Sequence, residues 1–290
     1  GAITGACASF LYNLQKGSDM ITSGRARVVL VGNGEAPITQ ECIEGYGAMG
    51  ALATEEGLRQ VGGQQDVDFR RASRPFSHNC GFTLAESGQF FVLMDDALAI
   101  ELGADIHGAV PDVFINADGF KKSISAPGPG NYLTMAKAVY SAIQIVGPEA
   151  VQQRSFVHAH GSSTPANRTT ESEILDRVAG DFDINNSPIA AAKAYVGHSL
   201  ASASADQLMA TLGSFRYQII PGIKTIDEVA EDVHQTHLQI STKDIDRQSK
   251  PLEVAFINSK GFGGNNASAV VLAPGVVERM LVKRYGEAAF

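Results

Sequence analysis

The chain of 290 residues is 44% hydrophobic and 19% charged, which is typical of a globular protein of one or two domains. Its 23 Lys and Arg residues against 31 Asp and Glu residues give a formal net charge of -8, and a chain without a basic excess is not a general nucleic-acid binder. No apolar run approaches the ~20 residues that a membrane span requires, so no membrane segment is expected.

The three cysteines, Cys7, Cys42 and Cys80, are odd in number and too widely spaced for a C-x-x-C zinc or redox site. We therefore expect reduced thiols and no bound metal. Because no signal peptide precedes Cys7, the sequence predicts a cytoplasmic protein. A glycine start directly ahead of the most reactive-looking residue suggests in addition that the chain is a fragment.

The first part of the chain predicts a helix and two strands around a loop-rich excursion. Apolar residues at roughly helical spacing predict a helix over 8–23. A short apolar run at 26–31, of the kind that is buried in a parallel sheet, predicts a strand that the glycines of 32–34 end. Residues 37–75 show no strand alternation and predict short helices and loops. The remaining elements of this part are a strand at 88–94 and a short helix at 95–102.

The second part of the chain alternates strands with helices. This alternation implies right-handed crossovers and an α/β sheet with helices on both faces. In chain order, the predicted elements are a strand at 113–117, a Gly/Pro loop at 126–130, a helix at 132–145, a strand at 155–159, a helix at 169–179, a strand at 189–193, a helix at 204–217, strands at 254–258 and 268–272, and a surface helix at 276–285.

Cys7 stands at the start of the first predicted helix. There the unpaired backbone N–H groups and the positive end of the helix dipole favour thiolate over thiol, which is one route to a nucleophilic cysteine. A small residue between alanines is more often a buried packing thiol. This segment alone therefore leaves both interpretations open.

Three downstream segments carry candidate partners for this thiol. His158 and His160 lie where a predicted strand gives way to a small-residue loop, the place where α/β proteins build their sites, although one of them could be a packing histidine. The second segment is similar: Lys193 lies at the end of a predicted strand, and a glycine and His198 follow it. The glycine-rich run 258–266 either offers free N–H groups to an oxyanion or forms only a tight turn.

Taken together and in this order, the four segments resemble the β-ketoacyl-acyl-carrier-protein synthases of the thiolase superfamily. The family pattern is an Ala-Cys-x nucleophile, then His-Gly-Thr-x-Thr-Pro, Lys-x-x-x-Gly-His and Asn-Ser-x-Gly-Phe-Gly-Gly-x-Asn, and the chain matches each motif closely. The resemblance extends over nearly the whole chain. It is closest to the long γ-proteobacterial branch that is linked to initiation of fatty acid synthesis.

The resemblance implies a thiolase-like layered αβαβα fold whose first half is incomplete in this chain. Strands and helices that normally precede the nucleophile are missing from the sequence. The implied units are 1–103 as the remainder of the N-terminal half, with a cap region at 37–86, then 104–274 as the C-terminal half, and 275–290 as a surface helix.

The activity that the resemblance implies is a decarboxylative Claisen condensation of an acyl primer with malonyl-ACP in fatty acid synthesis. Cys7 would carry the acyl group, while His160 and His198 would hold the malonyl thioester carbonyl. Lys193 would tune the histidines electrostatically, and Glu171 would belong to the same buried polar network. The other implied site residues are Cys7 and Phe262 as the N–H donors of an oxyanion hole, and Ser162, Thr164, Phe262 and Gly263 as substrate-binding residues.

The family also implies partners. An acyl carrier protein would deliver malonyl-ACP, the primer would come as acyl-CoA or acyl-ACP, and the protein would be a homodimer. No cofactor is expected beyond the phosphopantetheine arm of the carrier or of CoA, and no nucleic acid or membrane partner. Since the carrier is acidic and the chain carries -8, docking requires a local basic patch, for which Lys121 with Lys122, or Arg70, Arg71 and Arg74, are candidates.

Three departures from the family pattern bear on pocket shape and chain-length preference. Arg168 stands where an acidic residue is usual, and Lys260 where a phenylalanine is common. The residues 201–204 replace a Gly-Ala-Ala-Gly run.

Three alternatives are weaker matches to these residues. A thiolase needs a second active-site cysteine, and the run 258–266 has none. A Cys-His hydrolase would leave His198 and Lys193 idle. A chain-length-factor-like or carrier-docking subunit would not turn over, but such subunits typically lose the nucleophile that Cys7 retains.

Overall fold

The computed structural model describes residues 3–63, 66–119 and 128–287. Its strands are β1 Val28–Glu35, β2 Ser87–Met94, β3 Val113–Ala117, β4 Ser155–His158, β5 Ser187–Ala190, β6 Ile219–Ile220, β7 Leu238–Ile240, β8 Ile245–Asp246, β9 Val254–Gly261 and β10 Asn265–Leu272. Its helices are α1 Ser9–Thr22, α2 Gln40–Ala48, α3 Glu55–Gly62, α4 Asp96–Glu101, α5 Pro129–Val146, α6 Pro148–Arg154, α7 Pro165–Asp181, α8 Lys193–Val196, α9 Ala203–Tyr217 and α10 Pro274–Tyr285, with short 3-10 turns at Phe69–Arg71 and Leu200–Ser202.

The larger sheet has six strands in the described residues, in the order β3-β10-β9-β4-β5-β7. The strands β9, β4, β5 and β7 run parallel. At one edge β10 pairs antiparallel with β9, and β3 pairs antiparallel with β10. β4 and β5 are buried along their whole length, as expected for parallel strands that helices cover on both faces. The predicted α/β class is confirmed.

The layers can be read from two neighbouring side chains on β9. The amide of Asn258 contacts α5 and α7, while the hydroxyl of Ser259, which points to the opposite face, contacts α9 and the backbone of Cys7. On their far side α1 and α9 contact the two-stranded sheet of β1 and β2. The described residues therefore form four layers, helix, sheet, helix and sheet, of the five in the expected αβαβα arrangement.

The outer face of the two-stranded sheet is apolar and open to solvent. Val28 and Leu30 on β1 are 45% and 67% exposed, and Phe90 and Val92 on β2 are 61% and 60% exposed. The other face packs on α1, where Phe10 contacts Phe91. Apolar side chains on both faces are typical of a sheet that is covered on both sides. The open outer face therefore fits the expectation that the first half of the fold is incomplete in this chain.

The strand expected at 26–31 differs from its prediction in direction and length. β1 pairs antiparallel with β2 and continues through the glycines that were expected to end it. Gly32 is required inside the strand, because a Cβ there would lie 2.2 Å from the ring of Phe90. Glycine in a strand can thus mark a close approach of a neighbour rather than a break.

Two helices begin earlier than their predicted starts at 132 and 169. α5 and α7 each begin with a proline, a residue that favours the first helical position because its missing N–H is not needed there. Thr164 caps α7 by accepting a hydrogen bond from the N–H of Asn167 at 3.4 Å. Residues 126 and 127 of the predicted Gly/Pro loop lie outside the described residues.

The predicted excursion at 37–75 consists of α2, α3 and a 3-10 turn, as expected. The segment 218–253, for which no elements were predicted, contains three strands of two or three residues, β6, β7 and β8. α6 was missed as well. No helix among the described residues is long and apolar enough to cross a membrane.

The exposed face of β1 and β2 generates the first prediction. We expect residues 1–290, expressed alone, to bind an apolar dye such as ANS, because burying each of these side chains would contribute about 1.5 to 3 kcal/mol. The double substitution Leu30→Lys and Phe90→Lys should remove most of the dye signal. Tyr217→Lys, at a side chain that is 63% exposed at the end of α9, is the control and should leave it unchanged. Equal dye binding by all three proteins would contradict the prediction.

Candidate active site

Cys7 lies in a tight turn immediately before α1. The residue ahead of it, Ala6, has a left-handed backbone with φ of 49°, a strained conformation that persists only when its surroundings hold it. The hydroxyl of Ser9 provides such support, since it donates to the carbonyl of Ala6 at 2.6 Å and accepts from the N–H of Gly5 at 2.9 Å. Held in this turn, Cys7 lines a cavity.

The end of β9 fixes the same turn from the other side. Ser259 donates its hydroxyl hydrogen bond to the carbonyl of Cys7 at 3.0 Å. Gly261 lies so close to the turn that a Cβ there would be 2.5 Å from the carbonyl oxygen of Gly5. The nucleophile candidate is thus held by the C-terminal sheet as well as by its own helix.

Of the two interpretations left open for Cys7, the structure favours a buried neutral thiol over a resting thiolate. α1 begins only at Ser9, and Cys7 is 5% exposed. Burial raises the pKa of the thiol to about 11, against the opposing effects of the Lys193 ammonium and of hydrogen bonds from the backbone N–H groups of Phe262 and Cys7. Because desolvation outweighs these interactions, the thiol is neutral at pH 7.

His160 and His198 face the cavity as a perpendicular pair of rings, with centroids 5.2 Å apart and an interplanar angle of 83°. Burial, together with the positive charge of Lys193, holds the pKa of both imidazoles well below the usual 6.5. Nδ1 of His198 accepts a hydrogen bond from the N–H of Leu200 at 3.3 Å, so the ring proton lies on Nε2. The pair can therefore act as neutral N–H donors.

His158 is the packing histidine of the two that were considered. Its Nε2 accepts from the N–H of Ala192 at 3.0 Å, which leaves Nδ1 to donate to Thr211 at 3.2 Å. Burial lowers its pKa to about 3. Because β4 ends at His158, the alternation that would place His160 on the same face does not continue beyond it.

Glu171 is completely buried and accepts four hydrogen bonds. Its donors are the N–H groups of His160 at 2.6 Å and Gly161 at 2.8 Å, and the side-chain amides of Asn167 at 2.8 Å and Asn258 at 2.7 Å. A carboxylate with this many donors stays satisfied away from water. It fixes the backbone of the loop that carries His160.

Lys193 supports the same loop. Its Nζ donates to the carbonyl of His160 at 2.6 Å, so the ammonium holds the backbone of this histidine. Burial lowers the pKa of Lys193 to about 8, against the opposing charge of Glu171. The predicted strand at 189–193 is wrong at its end, because β5 stops at Ala190 and Lys193 opens the one-turn helix α8.

Asp206 is a site residue that the sequence analysis missed. Its carboxylate accepts from the hydroxyls of Ser87 and Ser199, both at 2.5 Å, and from the amide of Gln89 at 3.2 Å. It therefore ties β2 to the residue that follows His198. An acidic residue among the small residues at the start of α9 is the signal that could have identified it.

One cavity of about 200 Å³ brings most of the predicted site residues together. Ser162 and Thr164 line it beside the thiol and the two imidazoles, but Gly263 is not among its lining residues and lies exposed in the β9–β10 turn. The complete lining consists of Cys7, Met49, Gly50, Ala51, Phe82, His160, Ser162, Thr164, Pro165, Ala166, His198, Lys260 and Phe262. In the described ranges no group of three or more His, Cys, Asp or Glu side chains is placed to hold a metal ion.

Part of the lining comes from the cap and was not foreseen. Met49, Gly50, Ala51 and Phe82 contribute to the lining. The ring of Phe82 stands edge-on to His198, with centroids 5.1 Å apart. Isolated apolar residues in a loop-rich segment give no sequence signal of this role.

Comparison with known proteins gives the following matches. The model "Beta-ketoacyl synthase, N-terminal domain" matches residues 1–99, and "Beta-ketoacyl synthase, C-terminal domain" matches residues 107–227. The beta-ketoacyl-[acyl-carrier-protein] synthase FabY of Pseudomonas aeruginosa is 76% identical over 290 residues, which is 100% of this chain and 46% of that protein. A 3-oxoacyl-[acyl-carrier-protein] synthase 2 of Vibrio harveyi is 29% identical over 93% of this chain and 60% of its own length.

Solved structures agree with these matches. The crystal structure of the noncanonical ketosynthase FabY from P. aeruginosa superposes with a TM-score of 0.98 and 75% identity, covering 100% of this chain and 45% of that chain. The ketosynthase complex AntDE:AntF, a type II polyketide system with its acyl-carrier protein, gives a TM-score of 0.79 and 25% identity, covering 93% of this chain and 62% of that chain. The chain thus spans about half the length of the relatives it matches, and the thiolase-like fold is confirmed.

The buried histidines make stability depend on pH. His158, His160 and His198 have folded pKa values below the unfolded value of 6.5, so below pH 6.5 the unfolded chain binds protons that the folded chain does not. The free energy of unfolding should therefore fall with decreasing pH, by up to about 4 kcal/mol per pH unit if all three contribute.

A suitable protein for this measurement is a chimera in which these 290 residues replace the matching segment of P. aeruginosa FabY, below called the chimeric synthase. Urea unfolding between pH 7.5 and 5.5 gives the slope. His198→Gln should lower the slope by about a third, while His107→Gln, at a side chain that is 64% exposed, should not change it. A slope that both variants leave unchanged would contradict the assignment of neutral buried imidazoles.

The four donors around Glu171 predict a large cost for its neutral isostere. In Glu171→Gln one acceptor oxygen is replaced by a donor that faces other donors, and we expect a loss of about 3 to 5 kcal/mol in the free energy of unfolding of the chimeric synthase. Glu173→Gln, an exposed position on the same helix, is the matched control and should change it by less than about 0.5 kcal/mol. Similar unfolding midpoints for the two variants would refute the structural role of Glu171.

Proposed function

The chain belongs to the β-ketoacyl synthase family, and from this premise we propose that it carries the reactive centre of a β-ketoacyl-ACP synthase. The reaction is the decarboxylative Claisen condensation of an acyl primer with malonyl-ACP in fatty acid synthesis. The observation that carries the proposal is the convergence of Cys7, His160 and His198 on one cavity. A thiolase would require a second cysteine there, and the described lining residues include none.

The first half-reaction transfers the acyl group to the enzyme. The sulfur of Cys7 attacks the thioester carbonyl of acyl-CoA or acyl-ACP, the new C–S bond forms as the old one breaks, and the proton of Cys7 leaves with the departing thiol. The positive charge of Lys193 stabilises the negative charge that develops on the sulfur of Cys7. The N–H groups of Phe262 and Cys7, which contact the sulfur, are positioned to stabilise the carbonyl oxygen as it becomes an oxyanion.

The second half-reaction makes the carbon–carbon bond. The bond between the malonyl α-carbon and its carboxylate breaks, CO2 leaves, and the electron pair moves onto the thioester oxygen as an enolate. The enolate carbon then attacks the acyl carbonyl on Cys7, the C–S bond to the enzyme breaks, and the departing thiolate takes up a proton from solvent. His160 and His198, as neutral N–H donors, would stabilise the enolate oxygen.

The substrate arm and the partner follow from the same family. Ser162 and Thr164, whose hydroxyls are 3.1 Å apart, would contact the phosphopantetheine arm of the carrier or of CoA. Gly263, exposed in the adjacent turn, would contribute through its backbone. An acyl carrier protein is the proposed partner, in line with the ketosynthase of the AntDE:AntF complex, which binds one. A homodimer and a cytoplasmic location are likewise proposed from the family.

The basic patch for this carrier is narrower than the sequence suggested. Arg71 pairs with Asp227, and Arg74 donates to the carbonyl of His78, so both are engaged within the fold. Arg70 is 90% exposed but forms an ion pair with Asp68, its Nε lying 2.9 Å from Oδ1, so its charge is partly neutralised as well. The other candidates, at 121 and 122, lie outside the described residues.

Acylation of the chimeric synthase tests the nucleophile. Incubation with acyl-CoA should add an acyl group that peptide mass mapping places on Cys7, and Cys7→Ala should abolish it. Cys42→Ala and Cys80→Ala should load normally, because neither thiol lines the cavity. Persistent acylation of the same peptide in Cys7→Ala would refute the proposed function.

Separate measurement of CO2 release tests the histidines. His198→Ala should still load Cys7, but should release CO2 from malonyl-ACP about 100 to 1000-fold more slowly, because one donor to the enolate oxygen is lost. His107→Ala, outside the cavity, is the control. A variant that loses loading and decarboxylation equally would show that His198 acts on the thiol instead.

A further inference from the structure

Lys260 is a buried cation in the wall of the active-site cavity. It is 5% exposed, and its Nζ donates to the hydroxyl of Thr170 on α7 at 3.3 Å. Because side chains alternate along β9, Lys260 lies on the same face of the strand as Asn258. Among the described residues that line the cavity, it is the one lysine or arginine.

The start of α7 adds positive potential to the same wall. Thr164, Pro165 and Ala166 line the cavity beside Lys260 and form the N-terminus of a helix of 17 residues. The N-terminus of such a helix carries a partial positive charge and favours anions. A buried ammonium and a helix N-terminus, which are independent features, thus converge on one side of the cavity.

Binding of the acyl primer does not require a positive charge in this wall. An acyl group is uncharged, and its developing oxyanion is assigned to the N–H groups of Phe262 and Cys7. The donor, by contrast, carries a carboxylate on the carbon next to its thioester carbonyl. The phosphate of its arm is remote from the thioester and cannot share a cavity of about 200 Å³ with it.

We propose that Lys260 binds the carboxylate of the malonyl donor and thereby selects a carboxylated thioester for the second half-reaction. This inference rests on the proposed function and adds a specificity-determining residue to it. The aromatic residue that is common at this position in the family could not form such an ion pair. The carboxylate would lie between the Lys260 ammonium and the N-terminus of α7.

The movement of charge during the reaction determines whether loss of Lys260 changes KM or kcat. As CO2 leaves, negative charge moves from the carboxylate to the thioester oxygen beside His160 and His198. The contact with Lys260 is therefore stronger in the bound ground state than in the transition state. An interaction of this kind lowers KM without raising kcat.

Steady-state kinetics of the chimeric synthase test this role. Lys260→Met should raise KM for malonyl-ACP by about 10 to 100-fold, the equivalent of one charge-assisted hydrogen bond, with kcat equal or higher. Lys260→Arg, which keeps the charge, should restore most of the affinity. Lys243→Met, an exposed lysine remote from the cavity, should match the unmodified protein. Acylation of Cys7 by acyl-CoA should change far less than KM.

The outcomes separate this inference from the proposed function. A chimeric synthase that loads and condenses while Lys260→Met keeps its KM, or loses only kcat, would overturn the role of Lys260 alone. If the chimera does not condense, calorimetry can test the role of Lys260 through the preference for binding malonyl-CoA over acetyl-CoA. Lys260→Met should abolish this preference, and Lys243→Met should keep it. Should Lys260→Met fail to fold, Lys260→Gln provides the neutral side chain for the same comparison.

Discussion

The buried carboxylate of Glu171 connects the elements that carry the candidate active-site residues. It accepts hydrogen bonds from the loop after β4, from α7 and from β9, and through the backbone of His160 it is linked to the ammonium of Lys193. A charge in this position is tolerated because every lone pair has a donor nearby. Removal of one member would leave the others buried without compensation, so the positions of the candidate active-site groups depend on this network being complete.

Desolvation sets the resting state of the whole site. Burial raises the pKa of Cys7 to about 11 and lowers the pKa of His160 and His198, so that the nucleophile and both donors are neutral at pH 7. In the proposed reaction, charge develops only when substrate reacts, and it then appears opposite groups that are already oriented. Preorganised donors in a dry cavity stabilise such charge without having to reorient.

The sequence predicted this site well where a role depends on a local motif and poorly where it depends on burial or on distant contacts. Cys7, His160 and His198 are brought together, as their motifs indicated. The sequence left the state of the Cys7 thiol open, because composition does not reveal how deeply the thiol is buried, and burial is what raises its pKa. Asp206 was missed because two of its three partners, Ser87 and Gln89, lie 119 and 117 residues away. Long periodic helices were found, whereas strands of two or three residues, such as β6 and β8, carry too little pattern to be detected.

The hydrogen bond from Ser259 to the carbonyl of Cys7 joins residues that are 252 positions apart in the chain. Contacts of such long sequence separation form late, because a long stretch of chain must be ordered before they can close. During synthesis from the N-terminus, the thiol emerges well before β9, which holds its turn in place. The turn that holds Cys7 can therefore reach its final structure only when β9 of the six-stranded sheet has formed. Until then, the nascent chain contains the cysteine without the cavity around it.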